Sequence, residues 1–117
     1  TEIYTLSLLD ALPISTSRGL EDIRFEIDRL DKEIVGLLGR RLGYVLKAAY
    51  FKKNEADIPA AGRVTDMLVE RRIWAREGGI SEDFVEELFM RIVDWYIATQ
   101  IAHWRKMHGQ TEGGGDA

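Results

Sequence analysis

Three polar residues interrupt apolar helical stripes in this sequence, and their types suit the binding of a small anion. Arg41 and Lys52 occupy positions of a first predicted helix where periodicity assigns the core, and Gln100 does so on a last predicted helix. Arginine binds planar carboxylates through two parallel hydrogen bonds, and lysine supplies a compact charge. Glutamine both donates and accepts hydrogen bonds without adding charge. The three side chains together predict a pocket for a small, multiply charged anion.

The charges around these residues leave two other interpretations open. Residues 34–54 contain five basic residues and no acid, so a buried cation there has no local partner. Because a buried charge must be compensated, either an anionic ligand or acids of another helix would have to supply the balance. A solvated basic face is the remaining alternative. Arg24 flanks the same stripe near its start, where it could reach a partner chain.

Helical periodicity covers the whole body of the chain, so the predicted fold class is all-α with three helices. The first helix is expected from Ser17, as its cap, to Lys53, and the second from Ala60 to Glu77, where Gly78 and Gly79 end it. Ser81 is the expected cap of the third helix. Its stripe, and the other residues expected in the core, are Val85, Leu88, Phe89, Ile92, Val93, Trp95, Tyr96, Ile97 and Trp104. His103 and His108 are expected to be exposed.

The length of the first helix predicts a homodimer. About 35 helical residues extend roughly 50 Å at 1.5 Å per residue. A compact chain of this size has a radius of gyration near 13 Å and is only about 35 Å across. The helix would therefore project beyond its own chain while still carrying an apolar stripe, which a second, intertwined copy would cover. The alternative is a break near residues 36–43, where three glycines would allow a hairpin.

Composition narrows the function classes. The net charge of −4 argues against a nucleic-acid partner, and no apolar run is long enough to span a membrane. The chain has no cysteine and two histidines, so neither a disulfide framework nor a metal site is expected. No glycine-rich phosphate loop is present, and we expect no cofactor. A cytoplasmic location is predicted. Residues 1–17 are interpreted as a flexible leader of uncertain origin, with a short helix packed on the body as the alternative. Residues 18–108 are interpreted as the helical domain and 109–117 as a disordered tail.

Three strings carry a family resemblance that covers about residues 19–105. They are GLEDIRFEIDRLDKEIVGLLGRRLGYV, FKKNEADIPAAGRV and FVEELFMRIVDWYIATQIAHW. In this order they resemble the all-helical, type II chorismate mutase family, and within it the isochorismate-pyruvate lyase branch. The resemblance implies three helices per chain, an intertwined dimer and two active sites built from both chains.

The resemblance also implies roles for individual residues. It assigns Arg24 of LEDIR to the site of the partner chain, Arg41 of GRR to a substrate carboxylate and Lys52 of YFK to catalysis. It places Arg63 at the border of the site and Gln100 within the pocket. The apolar walls that it implies are Tyr44, Met67 and Ile97.

Departures from the mutase pattern favour the lyase branch. Val64 stands where the mutases carry Glu or Gln, directly after the arginine that matches Arg63. Tyr96 stands where a small hydroxyl residue is common, and Ala60 where an acid is common. Ala61 replaces a second proline of the lyase pattern. The implied reaction converts isochorismate into salicylate and pyruvate, with a weak activity on chorismate. The alternatives are a chorismate mutase that makes prephenate, and a non-catalytic helical dimer that binds an aromatic acid or a protein.

Overall fold

A computed structural model describes residues 19–58 and 61–109, and this part of the chain is helical with no strand. Helix α1 spans Leu20–Ala48, α2 spans Ala61–Gly78 and α3 spans Glu82–Met107. Two short 3-10 turns, Ala49–Phe51 and Glu55–Asp57, lie between α1 and α2. The predicted three-helix, all-α class is confirmed. The predicted leader, and the predicted tail beyond Gly109, lie outside the described residues.

Helix α1 is unbroken but shorter than the sequence predicts. It contains 29 residues and continues through all three glycines of residues 36–43, so the hairpin alternative is wrong. The prediction that it reaches Lys53 is also wrong. The amide of Lys52 donates to the carbonyl of Ala49, three residues back, at 3.2 Å. The chain tightens into a 3-10 turn there and leaves the helix, and Lys52 has extended backbone angles, φ −95° and ψ 125°. The expected cap, Ser17, is not among the described residues.

The turn between α2 and α3 follows its predicted chemistry. Gly79 has φ +80°, a conformation that glycine adopts without a steric penalty. The amide of Ile80 then donates to the carbonyl of Ala75 at 3.0 Å, which satisfies one of the last carbonyls of α2. Ser81 caps α3, because its Oγ accepts a hydrogen bond from the amide of Phe84 at 3.1 Å.

The described residues divide into two compact units between Arg41 and Leu42. In the second unit, α2 packs against α3, and both short turns contact α3. The buried hydrophobic residues are Ala49, Ile58, Met67, Ala75, Val85, Val93, Tyr96 and Trp104. Most of the stripe predicted for α3 is therefore buried or half-buried, whereas Trp95 and Leu88 are 57% and 43% exposed, contrary to prediction. At about 100° per residue, Trp95 points roughly opposite to Val93, Ile97 and Trp104, on the side of α3 away from the buried residues.

Helix α1 buries none of its residues in the single chain. Its predicted apolar stripe is exposed, with Leu20, Ile27, Ile34 and Leu37 each more than half accessible. Burying one such side chain typically contributes about 1.5–3 kcal/mol. An exposed apolar face of this size on one helix is unusual for a monomeric protein.

Candidate functional site

The C-terminal half of α3 holds the one buried polar residue of the described chain, Gln100, which is 6% exposed. Its Nε2 donates to the carbonyl oxygen of Val45 at 2.9 Å. Val45 lies in the last turn of α1, where carbonyls lack a partner within the helix. The predicted burial of Gln100 is confirmed, but sequence reasoning missed this partner. One amide hydrogen of Gln100 stabilises the end of α1, and the second remains available as a donor.

Lys52 is half-buried, and its main chain is held by α3. The indole Nε1 of Trp104 donates to the carbonyl oxygen of Lys52 at 2.9 Å. None of the ion pairs formed within residues 19–58 and 61–109 involves the Lys52 ammonium. In this part of the chain, neutralisation by an acid of another helix therefore does not account for Lys52.

Residues 52–58, called the Lys52 segment below, have two further attachments to α3. Arg105 donates through Nε and Nη2 to Oε1 and Oε2 of Glu55, at 2.6 and 2.7 Å. These hydrogen bonds favour the ionised carboxylate and lower the pKa of Glu55. Ile58 is 4% exposed and clusters with Ala49 and Trp104. Sequence reasoning missed this ion pair, because Glu55 and Arg105 are far apart in the chain and no periodicity relates them.

The remaining predicted site residues differ in burial. Met67 is 3% exposed on α2, and Ile97 is half-buried against the cluster that contains Ile58. Tyr44 is 71% exposed, with the Lys47 ammonium 5.7 Å from its ring centre. Arg63 is exposed at the start of α2.

The two arginines assigned to substrate carboxylates belong to the first compact unit. Arg24 is exposed and Arg41 half-buried, and both lie on α1. The second unit brings together Ile97, Gln100 and the Lys52 main chain at the end of α3. The catalytic and binding roles of all these residues stay predictions.

The two histidines near the end of α3 differ from each other. His108 is exposed, as predicted, and its ring stacks on Trp104 with centres 3.9 Å apart. His103 is half-buried, contrary to prediction, and its Nε2 is buried without a hydrogen bond. The edge contact between the His103 and Tyr50 rings, with centres 6.1 Å apart, explains the partial burial.

The described residues 19–58 and 61–109 form neither a metal site nor a membrane-spanning helix. No group of three or more histidine, aspartate and glutamate side chains there could hold a metal ion. None of the described helices combines the length and apolar character needed to cross a bilayer.

Comparison with known families agrees with this all-helical architecture. The sequence model of the chorismate mutase type II family matches residues 23–101. The chain therefore belongs to the chorismate mutase type II family, whose fold is the three-helix arrangement described above.

Two curated relatives refine this assignment. The chain is 55% identical over 91 residues to the isochorismate pyruvate lyase of Pseudomonas aeruginosa, and the match covers 78% of this chain and 90% of that protein. It is also 36% identical over 81 residues to the T-protein of Haemophilus influenzae, which covers 68% of this chain and 22% of that protein.

Proposed function

We propose that this chain is an isochorismate pyruvate lyase, which converts isochorismate into salicylate and pyruvate. The observation that carries the proposal is the 55% identity to a protein of that name over 90% of its length. Two features of the second compact unit support it. Lys52 is a half-buried cation that no carboxylate of the described residues pairs with, and Gln100 is a buried amide with a donor to spare. Both suit a small anionic substrate with several oxygen acceptors.

The proposed reaction is a concerted, cofactor-free elimination. A ring hydrogen moves to the methylene carbon of the enolpyruvyl group while the ring carbon–oxygen bond breaks. The ring becomes aromatic salicylate, and the side chain leaves as pyruvate. Since the hydrogen passes directly between two carbons of the substrate, no general base is needed. The protein would accelerate the step by holding a reactive conformer and by stabilising charge on the departing ether oxygen.

Each predicted site residue has a place in this mechanism. Arg41, and Arg24 of the partner subunit, orient the two substrate carboxylates, and Lys52 donates to the ether oxygen, where negative charge grows. Gln100 completes the polar side of the pocket, and Arg63 lies at its border. The proposed apolar walls are Tyr44, Met67 and Ile97.

The proposal includes an intertwined homodimer in which each site takes residues from both chains. The supporting observation is that α1 buries no residue within the chain while it exposes its apolar stripe. A second α1 packed on this stripe would remove that surface from water. The glycines of α1 leave open space where a Cβ atom would stand, which permits a close approach of another helix.

A second candidate activity is the conversion of chorismate into prephenate, which the family name favours. Val64, Ala60 and Tyr96 replace residues that offer polar side chains in the mutases, and this favours the lyase. Both substrates carry an enolpyruvyl ether and two carboxylates, so we expect a weak mutase activity beside the lyase activity.

A single assay separates these activities. The purified protein is incubated with isochorismate or with chorismate, salicylate is followed by its fluorescence, and prephenate and pyruvate are quantified. We expect salicylate and pyruvate in equal amounts from isochorismate, with much slower formation of prephenate from chorismate. Prephenate as the dominant product would identify a mutase. No reaction with either substrate would favour the non-catalytic dimer.

Three further expectations accompany the proposal and stay predictions. We expect full activity after exhaustive dialysis against a metal chelator, because no cofactor takes part. We expect no nucleic-acid partner and a cytoplasmic location, which gel-shift and cell-fractionation experiments would check.

A further inference from the structure

We propose that Trp104 and Arg105, two adjacent residues of α3, are positioning residues that hold Lys52 in its working place. The inference rests on the proposed function for its catalytic consequence. The attachment of the Lys52 segment to α3 does not depend on that function, and hydrogen exchange measures it without substrate.

The first attachment acts on the main chain of Lys52. Trp104 is 5% exposed, and its indole can only donate a hydrogen bond. A buried indole N–H needs an acceptor, and the carbonyl oxygen of Lys52 supplies it at 2.9 Å. The hydrogen bond therefore fixes the backbone from which the Lys52 side chain extends. The ammonium group itself takes no part in this hydrogen bond.

The second attachment fixes orientation as well as distance. Arg105 meets Glu55 with two parallel hydrogen bonds, at 2.6 and 2.7 Å. A two-pronged arginine–carboxylate pair has one preferred geometry, whereas a single hydrogen bond allows rotation. The pair is partly exposed, with side chains 41% and 34% accessible, so its main effect is on position rather than on overall stability.

The third attachment is apolar. Ile58 is buried with Ala49 and Trp104, and partly buried residues of α3 pack against this cluster. The Lys52 segment is thus fixed at residues 52, 55 and 58, and all three contacts reach the same end of α3. The residues between these points, such as Lys53 and Asn54, are exposed.

This arrangement has a consequence for catalysis. A lysine side chain is long and flexible, and it stabilises a transition state only when its donor is already placed. A displacement of about 1 Å can lower a rate about 100-fold. Loss of an attachment should therefore reduce kcat, while KM should change little, because arginines outside the segment are proposed to bind the substrate carboxylates.

The test is a double-mutant cycle. Trp104→Phe removes the N–H donor but keeps an aromatic ring, and Arg105→Gln removes the two-pronged pair on the partly exposed side of α3. Each is made alone and together with Lys52→Ala. We expect each single variant to lower kcat about 10-fold with KM within about twofold. In the Lys52→Ala background we expect no further loss, because the attachments act through Lys52. Equal losses in both backgrounds, or unchanged kcat in both single variants, would overturn the proposal.

A matched control and a second measurement complete the design. Arg76→Gln breaks an exposed ion pair with Glu82, 2.9 Å long, at the other end of α3, and should leave kcat unchanged. Hydrogen exchange of the amides of residues 53–58, measured without substrate, should become faster in the Trp104 and Arg105 variants but not in the control. Unchanged exchange would refute the attachment even if Trp104→Phe lowered overall stability. If the unmodified protein converts neither isochorismate nor chorismate, the proposed function fails, and the exchange data alone decide the attachment.

Discussion

Apolar residues are exposed on helix α1 up to Arg41, whereas they are largely buried on the C-terminal half of α3. Residues 20–41 bury nothing within the chain, and the ion pairs of Arg29 with Glu26 and Glu33 join neighbouring turns of the same helix. Such exposed pairs contribute little to stability, because water and salt screen them. The second region instead buries Trp104 and Gln100, and each of these side chains donates a hydrogen bond to a main-chain carbonyl of the chain.

Similar helical periodicity thus serves two purposes in this chain. In α3 the stripe forms the chain's own core, and it positions the Lys52 segment. In α1 the stripe has the composition of a core but no cover within its own chain, which is the pattern of a helix whose packing partner is another molecule. Single substitutions can disturb either the exposed stripe of α1 or the residues packed around the end of α3.

The largest expected effect comes from a charge on the exposed stripe of α1. Leu30→Asp would place a carboxylate within the proposed dimer interface, where an unpaired buried charge costs about 3–5 kcal/mol. We expect the dimer to dissociate and activity to be lost, as measured by light scattering after gel filtration and by salicylate formation. Lys32→Asp, which puts the same group on the opposite face of α1, is the control. A Leu30→Asp variant with the mass and activity of the unmodified protein would contradict the dimer.

The next effect is confined to the Lys52 side chain. Lys52→Ala removes a preorganised donor, and we expect kcat to fall about 10²–10³-fold while the dimer remains. Lys52→Gln should restore little activity, since the positive charge matters. Lys53→Ala removes the same charge from the neighbouring exposed residue and should have no such effect. Near-normal turnover by Lys52→Ala would rule out the proposed mechanism.

An intermediate effect is expected at Gln100, which holds the end of α1 and is also proposed to contact the substrate. Gln100→Leu removes the donor to the Val45 carbonyl, and we expect a loss of about 1–3 kcal/mol in the free energy of unfolding, measured with urea. Activity should fall further than the unfolded fraction explains, because the second amide hydrogen is proposed to contact substrate. Loss of stability with unchanged kcat/KM would show that Gln100 has a structural role only.

The smallest effect concerns pH and the Glu55–Arg105 pair. Arg105 holds the pKa of Glu55 below the ordinary glutamate value of about 4.3 in the folded state. The Glu55–Arg105 pair therefore contributes its full stabilisation at pH values above the ordinary glutamate pKa. The contribution is lost as the pH falls through the lowered pKa of Glu55. The stability difference between the unmodified protein and Glu55→Gln should be constant from pH 7 to 5 and disappear at more acidic pH. A difference that persists unchanged at about pH 3 would argue against the ion pair.

Local rules explain what the sequence predicts well. Helical periodicity identifies all three helices, and turn chemistry places the end of α2 at Glu77, one residue before its observed end at Gly78, and the cap of α3 at Ser81. These features depend on residues within a few positions of each other. The same locality identifies Gln100 as a polar residue on a buried stripe.

Features that depend on distant or absent partners escape sequence reasoning. The end of α1 at Ala48 depends on how Lys52 and Ile58 meet α3, and the pair of Glu55 with Arg105 joins residues fifty positions apart. The cover that we propose for α1 would come from a second copy of the chain, which no pattern within one chain reveals. The proposed arrangement of Arg24 and Arg41 around a substrate would depend on that second copy too, so their roles rest on the family resemblance alone.

The hydrogen bond from Trp104 ends on a peptide oxygen, a group that every amino acid carries. Position 52 can therefore accept other side chains, including unnatural amines of different length or basicity, without losing that contact. This makes the site suitable for chemical redesign, in which the reach and basicity of the amine are varied while the backbone beneath it stays in one place.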